Sequence, residues 1–218
     1  PIALATLAIA RASEFPVAVH LDHAESVDLI HEAVDLGFTS VMFDGSTLDY
    51  DANVALTAEL AAYCHERGVG IEAELGEVGG KDGVHAPGVR TDPAEAAEFV
   101  AATGVDALAV AVGSSHAMTS RDAKLDLELI AAIRQAVPVP LVLHGSSGVA
   151  DENLTKAVEA GMTKVNISTH LNHAFTDTVR EILAANPEMV DTRKYLGAGR
   201  EAVRAEVARL LGVLLAAN

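Results

Sequence analysis

The chain has 218 residues, half of them hydrophobic, a single cysteine, Cys64, and a formal charge of −16 from 31 acidic and 15 basic residues. A chain of this length buries about 70% of its unfolded surface without covalent staples, and one cysteine excludes an intramolecular disulfide and fits a reducing, cytoplasmic compartment. Such acidity argues against nucleic acid or an anionic membrane as partner, and it makes an anionic substrate a puzzle that local chemistry must answer.

The opening run PIALATLAIA is too short to span a bilayer and has no basic leader, so it reads as a helix packed on a core. Six short apolar runs then read as buried parallel strands: Val17–His20, Ser40–Phe43, Gly70–Ala73, Ala107–Val112, Pro140–Leu143 and Lys164–Ile167. Helical segments lie between them. Ser26 caps one that stops at Gly37, and Asp92-Pro93-Ala94-Glu95 opens another that ends at Gly104. Asp151 to Ala160 is a third, stopped by Gly161, and Glu201 to Ala217 forms a terminal helix, with C-terminal helices expected from about 187. No linker divides residues 1–218, so a single α/β domain is expected. Both a (β/α) barrel and a doubly wound sheet fit the alternation, and the absence of a dinucleotide glycine fingerprint weakens the second.

Each apolar run ends in polar residues. The first leads into Asp22 and His23, the second into Asp44, the third into Glu74, the fourth into His116, the fifth into His144 and the sixth into Asn166. Barrel enzymes carry their chemistry at that end of the strands. Three histidines, His23, His116 and His144, then describe a catalytic zinc site with an open position, with Asp44 and Glu74 placed to orient ligands or hold the metal in an alternative position. The turns His144-Gly145-Ser146-Ser147-Gly148 and Asn166-Ile167-Ser168-Thr169 offer backbone N–H groups and hydroxyls to a phosphate, or are simply tight turns.

These residues together carry a resemblance. HLDH at 20–23, SVMFDGS at 40–46, EAELGEVGG at 72–80, DALAVAVGSSH at 106–116, LVLHGSSG at 141–148 and KVNIST at 164–169 resemble the motifs of the class II, zinc-dependent ketose-bisphosphate aldolases. The resemblance implies a TIM (β/α)8 barrel, of which these runs are the third to eighth strands. Such a barrel takes about 250 residues, so the first two strand–helix units are expected to be missing ahead of Pro1. It implies zinc on His23, His116 and His144, with Asp44 and Glu74 near it. It makes Asp22 the acid/base at the C4 hydroxyl, Asn166 the group that steadies the enediolate, and Gly145, Ser147, Ser168 and Thr169 the cradle for the phosphate of dihydroxyacetone phosphate. Arg193 is similar to an arginine that reaches a second phosphate from a neighbouring subunit, in a homodimer or homotetramer. A monovalent cation, Na+ or K+, beside the phosphate is implied as well.

The implied reaction is reversible cleavage of fructose 1,6-bisphosphate to dihydroxyacetone phosphate and glyceraldehyde 3-phosphate. Tagatose 1,6-bisphosphate or another metal-dependent sugar-phosphate lyase reaction is the alternative, and a non-catalytic sugar-phosphate-binding barrel is the alternative of another class. A Schiff-base route is weaker, because only five lysines are present and Lys164 starts its strand rather than ending it. Ala24 and Ala117 stand where the family has glycine, and in the run Gly79-Gly80-Lys81-Asp82-Gly83 Asp82 is the candidate base for the C3 proton.

Overall fold

The computed structural model describes residues 1–75, 90–114 and 121–216. Six strands run β1 (His20–Ala24), β2 (Ser40–Phe43), β3 (Gly70–Glu74), β4 (Ala107–Ala109), β5 (Leu141–Leu143) and β6 (Met162–Val165). Eight helices accompany them among the described residues: α1 (Ile2–Ala12), α2 (Val27–Leu36), α3 (Tyr50–His65), α4 (Pro93–Thr103), α5 (Leu127–Ala136), α6 (Asp151–Ala160), α7 (Thr169–Ala185) and α8 (Thr192–Leu215). The strands form one parallel sheet in the order β1-β2-β3-β4-β5-β6. That is the arrangement successive right-handed crossovers produce.

The expected helix boundaries are made by the expected chemistry. The Ser26 side chain accepts from Leu29 N and Gly37 closes α2 in the left-handed region at φ 96°. Asp92 accepts from Ala94 N and Glu95 N, with Pro93 at the first position of α4. The helices pack on the outer face of the sheet over Ile30, Leu60, Phe99, Ile130, Ile133 and Leu154. Each such side chain contributes about 1.5–3 kcal/mol on full burial. A smaller cluster, Met42, Ala109 and Val142, fills the inner face.

The sheet is curled, and side chains from distant strands meet inside it. Asn166, just past β6, reaches Asp22 on β1, and Lys164 on β6 reaches Glu72 on β3. This curl, rather than any single strand, gathers the polar residues.

Five expectations need correction. The sixth strand is Met162–Val165 and not Lys164–Ile167, and the terminal helix starts at Thr192, ahead of Glu201. The first strand is His20–Ala24 and not Val17–His20; Val17 is exposed, and the polar HLDH segment itself forms the strand. The fourth is only Ala107–Ala109, although Val110, Ala111 and Val112 remain buried. Helix α1 forms as expected but buries only Leu7, leaving Ile2, Leu4 and Ile9 exposed.

Candidate active site

His23 is the sole non-glycine residue with positive φ among the described residues, at 50°. The register between β1 and β2 shifts between Leu21 and Ala24, so Asp22 and His23 together oppose one residue of β2. Regular alternation would send these neighbours to opposite faces of the sheet. The bulge re-aims His23, and both side chains serve the inner face. Its Nδ1 lies 2.7 Å from Asp44 Oδ2, while Asp44 Oδ1 accepts from Ser46 N at 3.2 Å and Ser46 Oγ at 2.6 Å. Acting as a carboxylate, Asp44 accepts the Nδ1 proton and leaves Nε2 as the lone-pair nitrogen of His23.

His144, at the exit of β5, is fully buried. Its ring meets that of His23 edge-on, with centroids 4.6 Å apart. Its Nδ1 is 3.5 Å from Glu74 Oε2, and its Nε2 is 2.9 Å from Glu72 Oε1. Ligand atoms of Asp22, His23 and His144 lie within 4.8 Å of one another, and so do those of His23, Asp44 and Glu74. Two imidazoles among carboxylates form a donor set of the kind zinc takes. The structure therefore brings together Asp22, His23, Asp44, Glu74 and His144. His116 and Asp82 lie outside the described residues, as does Ala117.

Asp22 is half-exposed, and its two carboxylate oxygens lie 3.3 and 3.4 Å from Asn166 Nδ2. A cavity of about 250 Å³ opens in front of this pair, lined by Asp22, His23, Gly145, Ser147, Asn166, Ser168 and Thr169. Gly145 turns the chain at φ 65°, where a side chain would be strained. Thr169 starts α7, so the helix N-terminus faces the cavity, and His170 N donates to Ser147 Oγ at 3.2 Å. No lysine or arginine is among the described residues lining it. An anion held here rests on N–H groups, hydroxyls and the helix dipole, which reconciles a phosphate with an acidic chain.

Arg193 is not brought to this cavity. It stands near the start of α8, 88% exposed at its side chain, paired with Asp191 at 2.9 Å.

Sequence reasoning overlooked three residues beneath the site. Glu72 and Lys164 pair at 2.8 Å, and His20 Nε2 stands 3.7 Å from Glu72 and 3.8 Å from Asp22. Burial pushes the Glu72 carboxyl up, but the His144 hydrogen bond and the Lys164 charge and hydrogen bond outweigh it and hold it below the ordinary value. Burial, helped by Lys164, pushes His20 down, so its imidazole is neutral near pH 7. Lys164 is third of the four residues of β6, not its first. With its ammonium engaged by Glu72, it is poorly suited to be a Schiff-base amine.

The family model for class-II fructose-bisphosphate aldolase matches residues 1–218. A fructose-bisphosphate aldolase of Geobacillus stearothermophilus is 45% identical over 194 residues, which are 88% of this chain and 68% of that protein. The crystal structure of the YdjI aldolase from Escherichia coli K12 superposes with a TM-score of 0.85 at 34% identity, over 98% of this chain and 75% of that one. A fructose-bisphosphate aldolase from Campylobacter jejuni, 24% identical, shares the fold at a TM-score of 0.78 over 97% of this chain and 75% of that one.

Proposed function

The chain belongs to the class-II fructose-bisphosphate aldolase family and is a lyase, and we propose that it uses zinc to cleave fructose 1,6-bisphosphate reversibly into dihydroxyacetone phosphate and glyceraldehyde 3-phosphate. The observation that carries this reading is the single cavity shared by Asp22, His23, Asn166 and the hydroxyl-lined turns at Ser147 and Ser168-Thr169. It unites a base, a metal-ligand histidine and an anion cradle over one small volume.

His23 and His144, with His116, would hold the zinc, and Asp44 and Glu74 stand beside it. Zinc bound there supplies a Lewis acid for the ketose C2 oxygen. The rest of the chemistry belongs to the chain. Gly145, Ser147, Ser168 and Thr169 hold one phosphate and so fix C2 to C4 over the strand ends. The Asp22 carboxylate takes the C4 hydroxyl proton, the C3–C4 bond breaks, and its electron pair moves to C3 as the enediolate of dihydroxyacetone phosphate. The Asn166 amide, bonded to Asp22 in the free protein, is the proposed donor to the developing negative oxygen. Asp82 is the proposed group that exchanges the C3 proton, and a monovalent cation is proposed beside the phosphate. Arg193, turned to solvent, is available to a neighbouring copy in a proposed homodimer or homotetramer. The curled sheet is read as six strands of a TIM barrel, and the cytoplasm as its compartment. No helix among the described residues is long and apolar enough to cross a membrane.

Release of triose phosphate, followed by coupled oxidation of a nicotinamide, tests the proposal. Turnover on fructose 1,6-bisphosphate should disappear with a chelator and return with zinc, and Asp22→Asn should lower kcat by about 10²–10⁴. A tagatose 1,6-bisphosphate arm separates the C4 epimers. If zinc-loaded protein turns over neither substrate, the proposal is wrong.

A further inference from the structure

A buried carboxylate that the proposed chemistry does not use touches the metal site from below. Glu72 is 3% exposed in the inner layer of the sheet, two residues before Glu74 and on the same face. Its two oxygens are divided between two donors. Oε1 takes the His144 Nε2 contact at 2.9 Å, and Oε2 takes the Lys164 ammonium at 2.8 Å. That division fixes the plane of the carboxylate, and through it the ring of His144. Met42, Ala109 and Val142 cluster nearby on the inner face, and His20 and Lys164 are the other polar groups beside Glu72. The Glu72 carboxylate is buried while the Lys164 side chain is 36% exposed, and a half-buried pair of this kind contributes little net stability compared with apolar side chains of similar volume. Its stability therefore does not account for its position.

We infer that Glu72, neutralised by Lys164, is a positioning residue that holds the proton of His144 on Nε2 and so presents Nδ1 to the metal. An ionised carboxylate only accepts hydrogen bonds, so the nitrogen facing it must carry the hydrogen. In the neutral ring, Nδ1 is then the lone-pair nitrogen, and it lies on the side of Glu74 and His23. His23 is arranged in the opposite sense, with Asp44 on Nδ1. The two rings thus offer different nitrogens to one centre, each fixed by its own carboxylate. Lys164 keeps Glu72 from facing the metal site as an uncompensated charge.

The inference rests on the zinc reading above, and its test separates the two. In the full-length, metal-free protein labelled with ¹⁵N-histidine, long-range proton–nitrogen spectra report the tautomer of His144 at a pH where the ring is neutral. The Nε2–H form is expected, and the Nδ1–H form in the native protein would overturn the inference without reference to zinc. In Glu72→Gln the amide can donate as well as accept, so His144 should become a mixture of tautomers. Zinc affinity, measured by competition with a chromophoric chelator, should fall about 10–100-fold, while binding of inorganic phosphate to the α7 turn stays unchanged. Lys164→Met, which leaves Glu72 on His144, should keep the Nε2–H form. Native affinity and a native tautomer in Glu72→Gln would refute the positioning role. A native protein that takes up no zinc would overturn both readings.

Discussion

The backbone at His23 allows a test in which the usual order of two substitutions is reversed. A non-glycine residue in the left-handed region costs about 1–2 kcal/mol, and His23 sits there at φ 50°. Replace it by alanine or by glycine, and both variants lose the imidazole and its bond to Asp44 alike. What remains between them is the backbone. Alanine keeps the left-handed penalty, and glycine does not. Against that, glycine in an ordinary strand is about 0.5–1 kcal/mol worse than alanine because its unfolded chain is freer. Taking the middle of each range, the difference leaves His23→Gly more stable than His23→Ala by about 0.75 kcal/mol. For a chain of this length that is a rise in Tm of about 1.5–3 °C. Urea unfolding of the metal-free protein followed by circular dichroism measures it. The control is Leu21, in regular register with Val41, where Leu21→Ala should be the more stable of the same pair. Should His23→Ala equal or exceed His23→Gly in stability, the bulge is unstrained. The account of how both Asp22 and His23 come to face the cavity then falls with it.

Two further outcomes follow from particular contacts. A Cβ on Gly45 would stand 2.4 Å from Asn53 Oδ1 and 2.9 Å from Phe43 Cε1. Asn53 is the residue that donates to the Glu74 carbonyl and accepts from Thr57, so Gly45→Ala should cost about 1–3 kcal/mol in urea unfolding and weaken zinc binding; native stability would show that the site does not depend on this approach. Glu206 on α8 is pulled down to about 2, chiefly by the Arg209 hydrogen bond working against burial and then by His170. Its folded value lies below its unfolded one, so its contribution is present above about pH 4.5 and is lost as pH falls towards 2. Stability of Glu206→Gln should therefore depend less steeply on pH over that window than the native protein; identical acid limbs would contradict the assignment.

How much of this was legible in the sequence depended on what each strand buries. Ser40–Phe43 was found to the residue because Val41, Met42 and Phe43 are buried on both faces, which is what an apolar run signals. The first strand was misplaced by the same rule. His20 and Asp22 face a polar interior, so the strand that carries the site reads as a loop, while the exposed Val17 reads as core. The capped helix starts were legible because a cap is local: Asp92 and Ser26 need only the next three residues. The positive φ of His23 has only a weak sequence signal: histidine is among the non-glycine residues enriched there, but it occurs far more often elsewhere.

Glu72 carries no compositional signal because it sits inside an apolar run, between Ile71 and Ala73. A signal was present, in spacing rather than in composition. His20 and Asp22, Glu72 and Glu74, Lys164 and Asn166 are each two residues apart, on three strands that the curl brings face to face. Period two puts both members of a pair on the inner face, one layer above the other. Asp22 and Asn166 at the cavity, with Glu74 beside His144, form the upper layer, and His20, Glu72 and Lys164 form the lower one. The upper layer alone would be legible as chemistry at strand ends. The lower layer shows that the polar interior extends one step deeper, to where His144 is gripped from beneath. A lone acid in a strand is ordinary, whereas matched polar pairs at i and i+2 on several parallel strands point to a supported site. That pattern needs the sheet order to be interpreted, because only the order says which strands face one another across the curl.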